Sequence, residues 1–288
     1  MDTQTKQKSN QGKLFIVATP IGNLQDITYR AVTTLKSVAY IAAEDTRTSK
    51  KLLDYYTIST PLLPCHDHNE NKAAQHIMAK LAAGDDVALI SDAGTPLIND
   101  PGYHVVRLLR EHAFEVVTIP GACSPIAALS ASGLPTDMFT YLGFLPRKGK
   151  SRQHILHNIQ QASHTQVFLE SPKRILKTLQ ALQALEDMNQ RLCCVGRELT
   201  KLHEEFIQGS LHDVVAHFEQ HAGRGEMVVM LAGAAPKSIE DADIIRILEQ
   251  RSSNGLSASA LAKEVAEDLS ISRSRVYALL HPPLKEAI

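Results

Sequence analysis

The sequence predicts two successive α/β domains followed by a small all-helical domain. Three observations carry this reading. Short apolar runs alternate with helical stretches from Leu14 onward, three of those runs end in turns rich in Gly and Pro, and the composition changes after Gly233-Ala234-Ala235-Pro236.

Taken in order, residues 1–12 are polar with no apolar core and read as a mobile tail, neither a signal nor a transit sequence. The first domain, residues 13–134, alternates strands (Leu14 to Ala18, Val38 to Ala42, Val87 to Ser91, Val116 to Ile119) with helices (Tyr29 to Ser37, Asn71 to Ala83, Tyr103 to Glu111). That order implies a mostly parallel sheet. The turn around Gly133 to Pro135 opens the second domain, residues 135–235. It has apolar runs at Phe139 to Leu145, Gln166 to Glu170, Leu192 to Arg197 and Glu226 to Leu231, with helices near Arg174 to Leu185 and Leu211 to Gln220. In residues 236–288 three helices are expected at Asp241 to Gln250, Ser257 to Asp268 and Ser272 to Leu280. Ser257 and Ser272 sit at N-cap positions, and Leu261, Val265 and Leu269 form one stripe. This arrangement resembles a helix-turn-helix. Residues 240–288 hold six Lys/Arg against eight Asp/Glu, a net of −2, which is weak for a self-sufficient nucleic-acid binder.

The strand-end turns carry the strongest functional signal. Val87-Ala88-Leu89-Ile90 runs into Ser91-Asp92-Ala93-Gly94-Thr95-Pro96-Leu97-Ile98-Asn99-Asp100-Pro101-Gly102. Gly lets backbone approach a ligand, Pro fixes the loop, and Asp92 and Asp100 can accept hydrogen bonds from hydroxyls or an amine. The competing reading is a tight turn whose aspartates cap helices. Two further loops of this design, Thr19-Pro20-Ile21-Gly22-Asn23 and Pro120-Gly121-Ala122-Cys123-Ser124-Pro125, point to one shared cleft. A Rossmann nucleotide-binding domain would instead show a GxGxG loop after its first strand, and Thr19 to Asn23 has a single Gly.

With 288 residues, 44% hydrophobic, 21% charged and a net charge of −1, the chain has the makeup of a globular protein, in which any nucleic-acid contact must come from local patches. No apolar run approaches the roughly 20 residues of a membrane helix, so no membrane partner and a cytoplasmic location are expected. Cys65, Cys123, Cys193 and Cys194 form no CxxC pair, which fits a reducing compartment and no structural metal.

The segments TPIGNLQDIT (from Thr19), AAEDTR (from Ala42), HDHNE (from His66), SDAGTPLINDPGY (from Ser91) and RELTKLHEE (from Arg197) together resemble the ribosomal RNA small-subunit methyltransferase I family, of the tetrapyrrole-methylase-like class. The likeness runs from about Lys13 to the C-terminus. It implies two α/β domains of the tetrapyrrole methylase type with S-adenosylmethionine folded in the cleft between them. The implied reaction is 2′-O-methylation of a cytidine ribose in the decoding region of small-subunit (16S) rRNA. The implied substrate is the assembled 30S subunit and the implied assembly a homodimer. Carried onto this chain, the cofactor contacts are Pro20, then Ser91, Asp92, Ala93 and Gly94, then Ala122, Cys123 and Ser124, with Leu142 and Glu170 from the second domain. Ala122-Cys123 departs from the Pro-Ser that often follows Pro-Gly in this class, which puts the side-chain contacts there in question.

Four residues are candidates for catalysis. Glu44 and Asp45 follow a strand, as does Glu198, and any of the three can act as a base; Lys201 can stabilise an alkoxide or hold RNA. Arg47 can grip a phosphate, although Glu44 to Arg47 also suits a helix-capping ion pair. His66-Asp67-His68-Asn69-Glu70 suggests a metal, but without a further ligand at sensible spacing loop hydrogen bonding is preferred. Arg147, Lys148, Lys150 and Arg152 form a basic run, which Lys173 and Arg174 extend into a positive rim for RNA phosphates. Two other readings remain: a methylase acting on a tetrapyrrole macrocycle, and a nucleic-acid-binding regulator built on the C-terminal helices.

Overall fold

The computed structural model describes residues 11–66, 69–235, 240–252, 256–269 and 271–280. The tail expected at residues 1–12 therefore lies almost wholly outside the described residues, as do Asp67 and His68 of the HDHNE segment. The chain divides into two compact units, residues 1–234 and 235–288.

The first sheet is built from β1 (Leu14–Val17), β2 (Tyr40–Ala43), β3 (Leu62–Pro64), β4 (Val87–Ile90) and β5 (Val116–Ile119). All its pairings are parallel, in the order β3-β2-β4-β1-β5. α1 (Tyr29–Ser37), α2 (Thr46–Tyr55), α3 (Glu70–Ala82) and α4 (Tyr103–Glu111) connect these strands. Helices on a parallel sheet cover its faces, so β4 reads Val-Ala-Leu-Ile and is buried throughout. The chain moves outward from β1 to β2 and β3, then returns to place β4 between β2 and β1. The reversal opens a crevice at the carboxyl ends of adjacent strands.

α5 (Ser124–Ala131) leads to the second sheet, formed by β6 (Phe139–Phe144), β7 (Thr165–Glu170), β8 (Leu192–Arg197), β9 (Glu205–Ser210) and β10 (Met227–Leu231) in the order β6-β7-β10-β8-β9. Only β6–β7 is parallel. Its strands alternate between two cores, as a period of two requires. Phe168, Val195 and Val229 pack with Leu156 and Ile159 of α6 (Lys150–Gln161), Ile175, Leu179 and Leu182 of α7 (Ile175–Gln183), and Val214 and Phe218 of α8 (Leu211–Gln220). Val167, Cys194 and Val228 point the other way, against Ala128 and Leu129 of α5 and Ile21 of the first strand-end loop. The second core thereby joins the two sheets and closes the crevice.

In the C-terminal unit α9 (Asp241–Ser252), α10 (Ala258–Asp268) and α11 (Arg273–Leu280) surround Ile244, Leu248, Leu261, Val265 and Val276. The expected stripe is there, with Leu269 packed at its end. Ser257 caps α10, and Ser272 Oγ accepts from Arg275 N–H at 3.3 Å. Both arginines opening α11 are engaged within the unit: Arg275 with Asp241 (2.7 Å) and Arg273 with Ser259 (2.6 Å).

Five elements go beyond the sequence expectations, α5 being one. α2 buries only Ser49, Leu52 and Leu53, and α6 only Leu156 and Ile159, too few to set a clear apolar period. β3 is a three-residue edge strand ending in Pro64, and β9 is one of the second sheet's two edge strands. The basic run is therefore not one loop, since Lys150 to Arg152 form the first turn of α6.

Thr28 caps α1, accepting from Ala31 N–H at 3.0 Å, and so fixes where the first loop ends. Replacing it as Thr28→Ala lowers unfolding free energy by about 1 kcal/mol in urea titrations, and Thr28→Ser restores most of it.

Candidate functional site

Hydrogen bonds lock the strand-end loops to one another. After β1 and β4, Thr19 N–H donates to Gly94 O (2.8 Å) and Gly94 N–H to Thr19 O (3.1 Å). Gly94 has φ +81°, and a Cβ there would crowd Ile21, so glycine is required. Thr95 Oγ1 donates to Ala122 O (2.9 Å), tying in the loop after β5. Asp45 N–H donates to Asp92 Oδ1 (3.1 Å), tying in the segment after β2. Leu97 and Asn99 also hold left-handed conformations without being glycine, at φ 72° and 71°. Such backbone persists where surrounding structure over-determines it, which is common at ligand sites.

A cleft of about 400 Å³ opens beneath these loops, lined by Ile21, Glu44, Asp92, Ala93, Asn99, Asp100 and Ser124 on one side. Phe144, Leu169, Glu170, Leu199, Glu226 and Val228 line the other. The three loops expected to share a cleft thus do so. Ala122 and Cys123 lie just before α5 and outside the cleft lining, with Cys123 at the N-cap and making no side-chain cap bond. Pro20 is buried between Thr19 and Ile21. Ser91 Oγ turns inward to Ala93 O at 3.3 Å.

The side chains of the two second-domain residues expected to meet a cofactor, Leu142 and Glu170, have partners within the second domain. Leu142 packs its side chain into the helix-covered core on the far face of the sheet. Glu170 is 1% exposed and its carboxylate is fully engaged: Oε1 accepts from Ser171 N–H (2.8 Å) and faces Arg174 Nε (3.3 Å), while Oε2 accepts from Thr178 Oγ1 (2.7 Å). Two residues expected on the positive rim belong to this same network. Arg174 donates to Leu145 O (2.7 Å), and Arg152 donates to Pro146 O (3.1 Å) and Thr178 Oγ1 (3.2 Å), so both guanidinium groups hold the corner after β6. Arg147, Lys148, Lys150 and Lys173 remain exposed.

The catalytic candidates separate by environment. Asp45 caps α2 and pairs with the exposed Arg47 at 2.9 Å; these bonds hold its carboxyl down at about 2. Glu198 accepts from Lys201 Nζ (3.0 Å) and Glu226 N–H (3.0 Å), and both bonds lower its pKa. Lys201 also reaches Glu226 Oε2 (3.3 Å), and its pKa is raised by these carboxylates in spite of burial. This loop uses left-handed backbone at Glu198 (φ 48°) and Thr200 (φ 66°) and abuts Gly22, where a Cβ would strike Lys201 and Thr200. Glu44 is half-buried on the cleft wall.

Glu70 was expected to make loop hydrogen bonds, and its role is specific. Its buried carboxylate accepts from Gly102 N–H and His104 N–H, both at 2.8 Å, capping α4 and anchoring the long loop after β4. The partners are 32 and 34 residues away, so no local pattern marks them. Among the described residues no group of His, Cys, Asp and Glu is arranged to hold a metal, and no helix is long and apolar enough to cross a membrane.

The family model for tetrapyrrole (corrin/porphyrin) methylases matches residues 13–215. A protein of Synechocystis sp. named ribosomal RNA small subunit methyltransferase I is 44% identical over 271 residues, covering 93% of this chain and 97% of that one. The chain belongs to the ribosomal RNA small subunit methyltransferase I family. It is accordingly a methyltransferase. Another protein of that name, from Pseudomonas aeruginosa, is 46% identical over 83% of this chain and 86% of its own length. The fold is shared with uroporphyrin-III C-methyltransferase from Thermus thermophilus, solved with S-adenosylhomocysteine, at TM-score 0.54 and 18% identity over 77% of this chain and 97% of that one.

Two outcomes follow from this geometry. Glu70→Gln keeps the shape but loses the charge on two hydrogen bonds, and lowers stability by about 1–2 kcal/mol in thermal or chemical unfolding. The depressed Asp45 pKa means that its contribution is present at neutral pH and is lost as pH falls from the ordinary value of 3.8 through about 2. A carboxyl NMR titration shows a midpoint near 2, which returns upward in Arg47→Gln.

Proposed function

We propose that this chain catalyses S-adenosylmethionine-dependent 2′-O-methylation of a cytidine ribose in the decoding region of small-subunit rRNA. Family membership over nearly the whole chain carries the proposal. A cleft with polar and apolar walls at the switch point of a parallel sheet supports it. The fit to the methyl donor rests on the loops' accessible backbone, on Asp92 and Asp100, and on a buried Tyr141 hydroxyl that has no partner among the described residues. When bound, S-adenosylmethionine supplies an electrophilic methyl group on a sulfonium.

The protein's part is to align the acceptor oxygen, exclude water and receive one proton, and alignment alone is worth several kcal/mol of barrier. Asp45 and Glu198 are weak bases because each is stabilised as a carboxylate. Glu44, on the cleft wall, is assigned the 2′-hydroxyl proton. Lys201 stays an ammonium between Glu198 and Glu226, so it serves as a cation for developing alkoxide or an RNA phosphate. Arg47, Arg147, Lys148, Lys150 and Lys173 are the exposed cations available to orient RNA, whereas selecting one cytidine requires base and shape recognition. The family resemblance extends this reading to a cytoplasmic homodimer acting on the assembled 30S subunit.

The test incubates purified protein with labelled S-adenosylmethionine and either 30S subunits or naked rRNA lacking the modification, then maps the label by nucleotide mass spectrometry. Label on a single cytidine ribose, stronger in subunits, is expected. No label on either RNA, with the donor still bound, points to a small-molecule methylase; RNA affinity without any transfer points to a regulator.

A further inference from the structure

The parity of β6 separates two neighbouring residues. Leu142 packs into the helix-covered core, whereas Tyr141 lies on the opposite face, beside Val167 in register and against the cluster that joins the two sheets. Ala122 of the loop after β5, Ala127 of α5 and Leu169, which lines the cleft, pack on the same cluster as Tyr141. Cys123 and the cleft-lining Asp100 lie close enough to act electrostatically on its hydroxyl, which burial and these two groups push up to about 12. The hydroxyl therefore stays protonated at neutral pH, able both to donate and to accept.

That hydroxyl oxygen is buried and has no hydrogen-bond partner among the described residues. A phenol enclosed without a partner is costly, and Phe would fill the same space without that cost. Buried polar groups are nearly always paired, so an exception packed on a cluster that shares Ile21, Leu199 and Val228 with the cleft lining calls for the missing partner. The adjacent backbone makes room for one. β6 carries an irregularity between Tyr141 and Phe144, and Gly143 within it adopts φ +62° with Asn99 of the long loop seated against it. The β6 irregularity and the loop after β4 thus meet beside Tyr141.

We infer that the Tyr141 hydroxyl is a binding group for the adenosyl methyl donor, making a hydrogen bond to it that completes the second domain's side of the site. The inference rests on the proposed use of S-adenosylmethionine. It gives the second domain a side-chain contact where Leu142 and the Glu170 carboxylate are turned to structural use.

The experiment compares wild type with Tyr141→Phe, using S-adenosylhomocysteine as the probe in calorimetry and recording the melting temperature of the ligand-free protein. Loss of one hydrogen bond from a buried site should weaken binding about 5- to 50-fold. The ligand-free melting temperature should hold or rise, because an unpaired hydroxyl has been removed. In steady-state assays KM for the donor rises while KM for RNA is unchanged. Unchanged probe affinity overturns the inference. So does a ligand-free melting temperature lowered by several degrees, which would show that the hydroxyl serves the fold. Wild-type protein that does not bind the probe would overturn the donor assignment itself, a result distinct from equal binding by the two proteins.

Discussion

The paired hydrogen bonds between Thr19 and Gly94 are the contact from which the rest of the cleft is built. They depend on β1 and β4 being parallel neighbours, so that both strands deliver their loops to the same edge. They also depend on glycine at 94, where the backbone is left-handed and Ile21 leaves little room. Once these two loops are joined, Thr95 brings in the loop after β5 and Asp92 brings in the segment after β2. Glu70 then anchors the far end of the long loop to the first turn of α4. Four strand ends are thereby held as one surface, and preorganisation of that kind is what in-line transfer between two bound partners demands.

The second sheet contributes by having two apolar faces. One is spent on α6, α7 and α8; the other reaches back to α5 and Ile21 and closes the cleft. The corner after β6 is held by a buried network of Glu170, Arg174, Thr178 and Arg152. Removing one member of such a network leaves a buried charge uncompensated, which is why these groups are not spare ligands. The same reasoning applies to Asp45 and Glu198, which cations and amides already satisfy and which therefore make poor proton acceptors.

Much of this was legible in the chain. Tyr29–Ser37, Tyr103–Glu111, Val116–Ile119, Leu192–Arg197 and Leu211–Gln220 have the bounds their patterns predict, because each is a run of apolar residues at the right period between turn residues. The three Gly/Pro loops converge as expected. α2, α6, β3 and β9 were not legible, being short, polar or at an edge, where burial leaves little imprint on sequence. The basic run looked like one feature, and folding divides it. Arg152 turns inward to Pro146 and Thr178 while Arg147, Lys148 and Lys150 face solvent.

The sequence by itself determined the α/β order, the strand-end loops and the family, because these are local: a strand, a turn that needs Gly or Pro, and a string of motifs. Only the tertiary structure decided which side chains face the cleft. Strand parity sends Tyr141 to the cluster that joins the two sheets and Leu142 to the helix-covered core, and the partners of Glu70 and Glu170 are fixed by contacts across the fold. Whether a carboxylate is a base, a cap or a clamp depends on which donors surround it, and those donors are assembled only when distant segments meet.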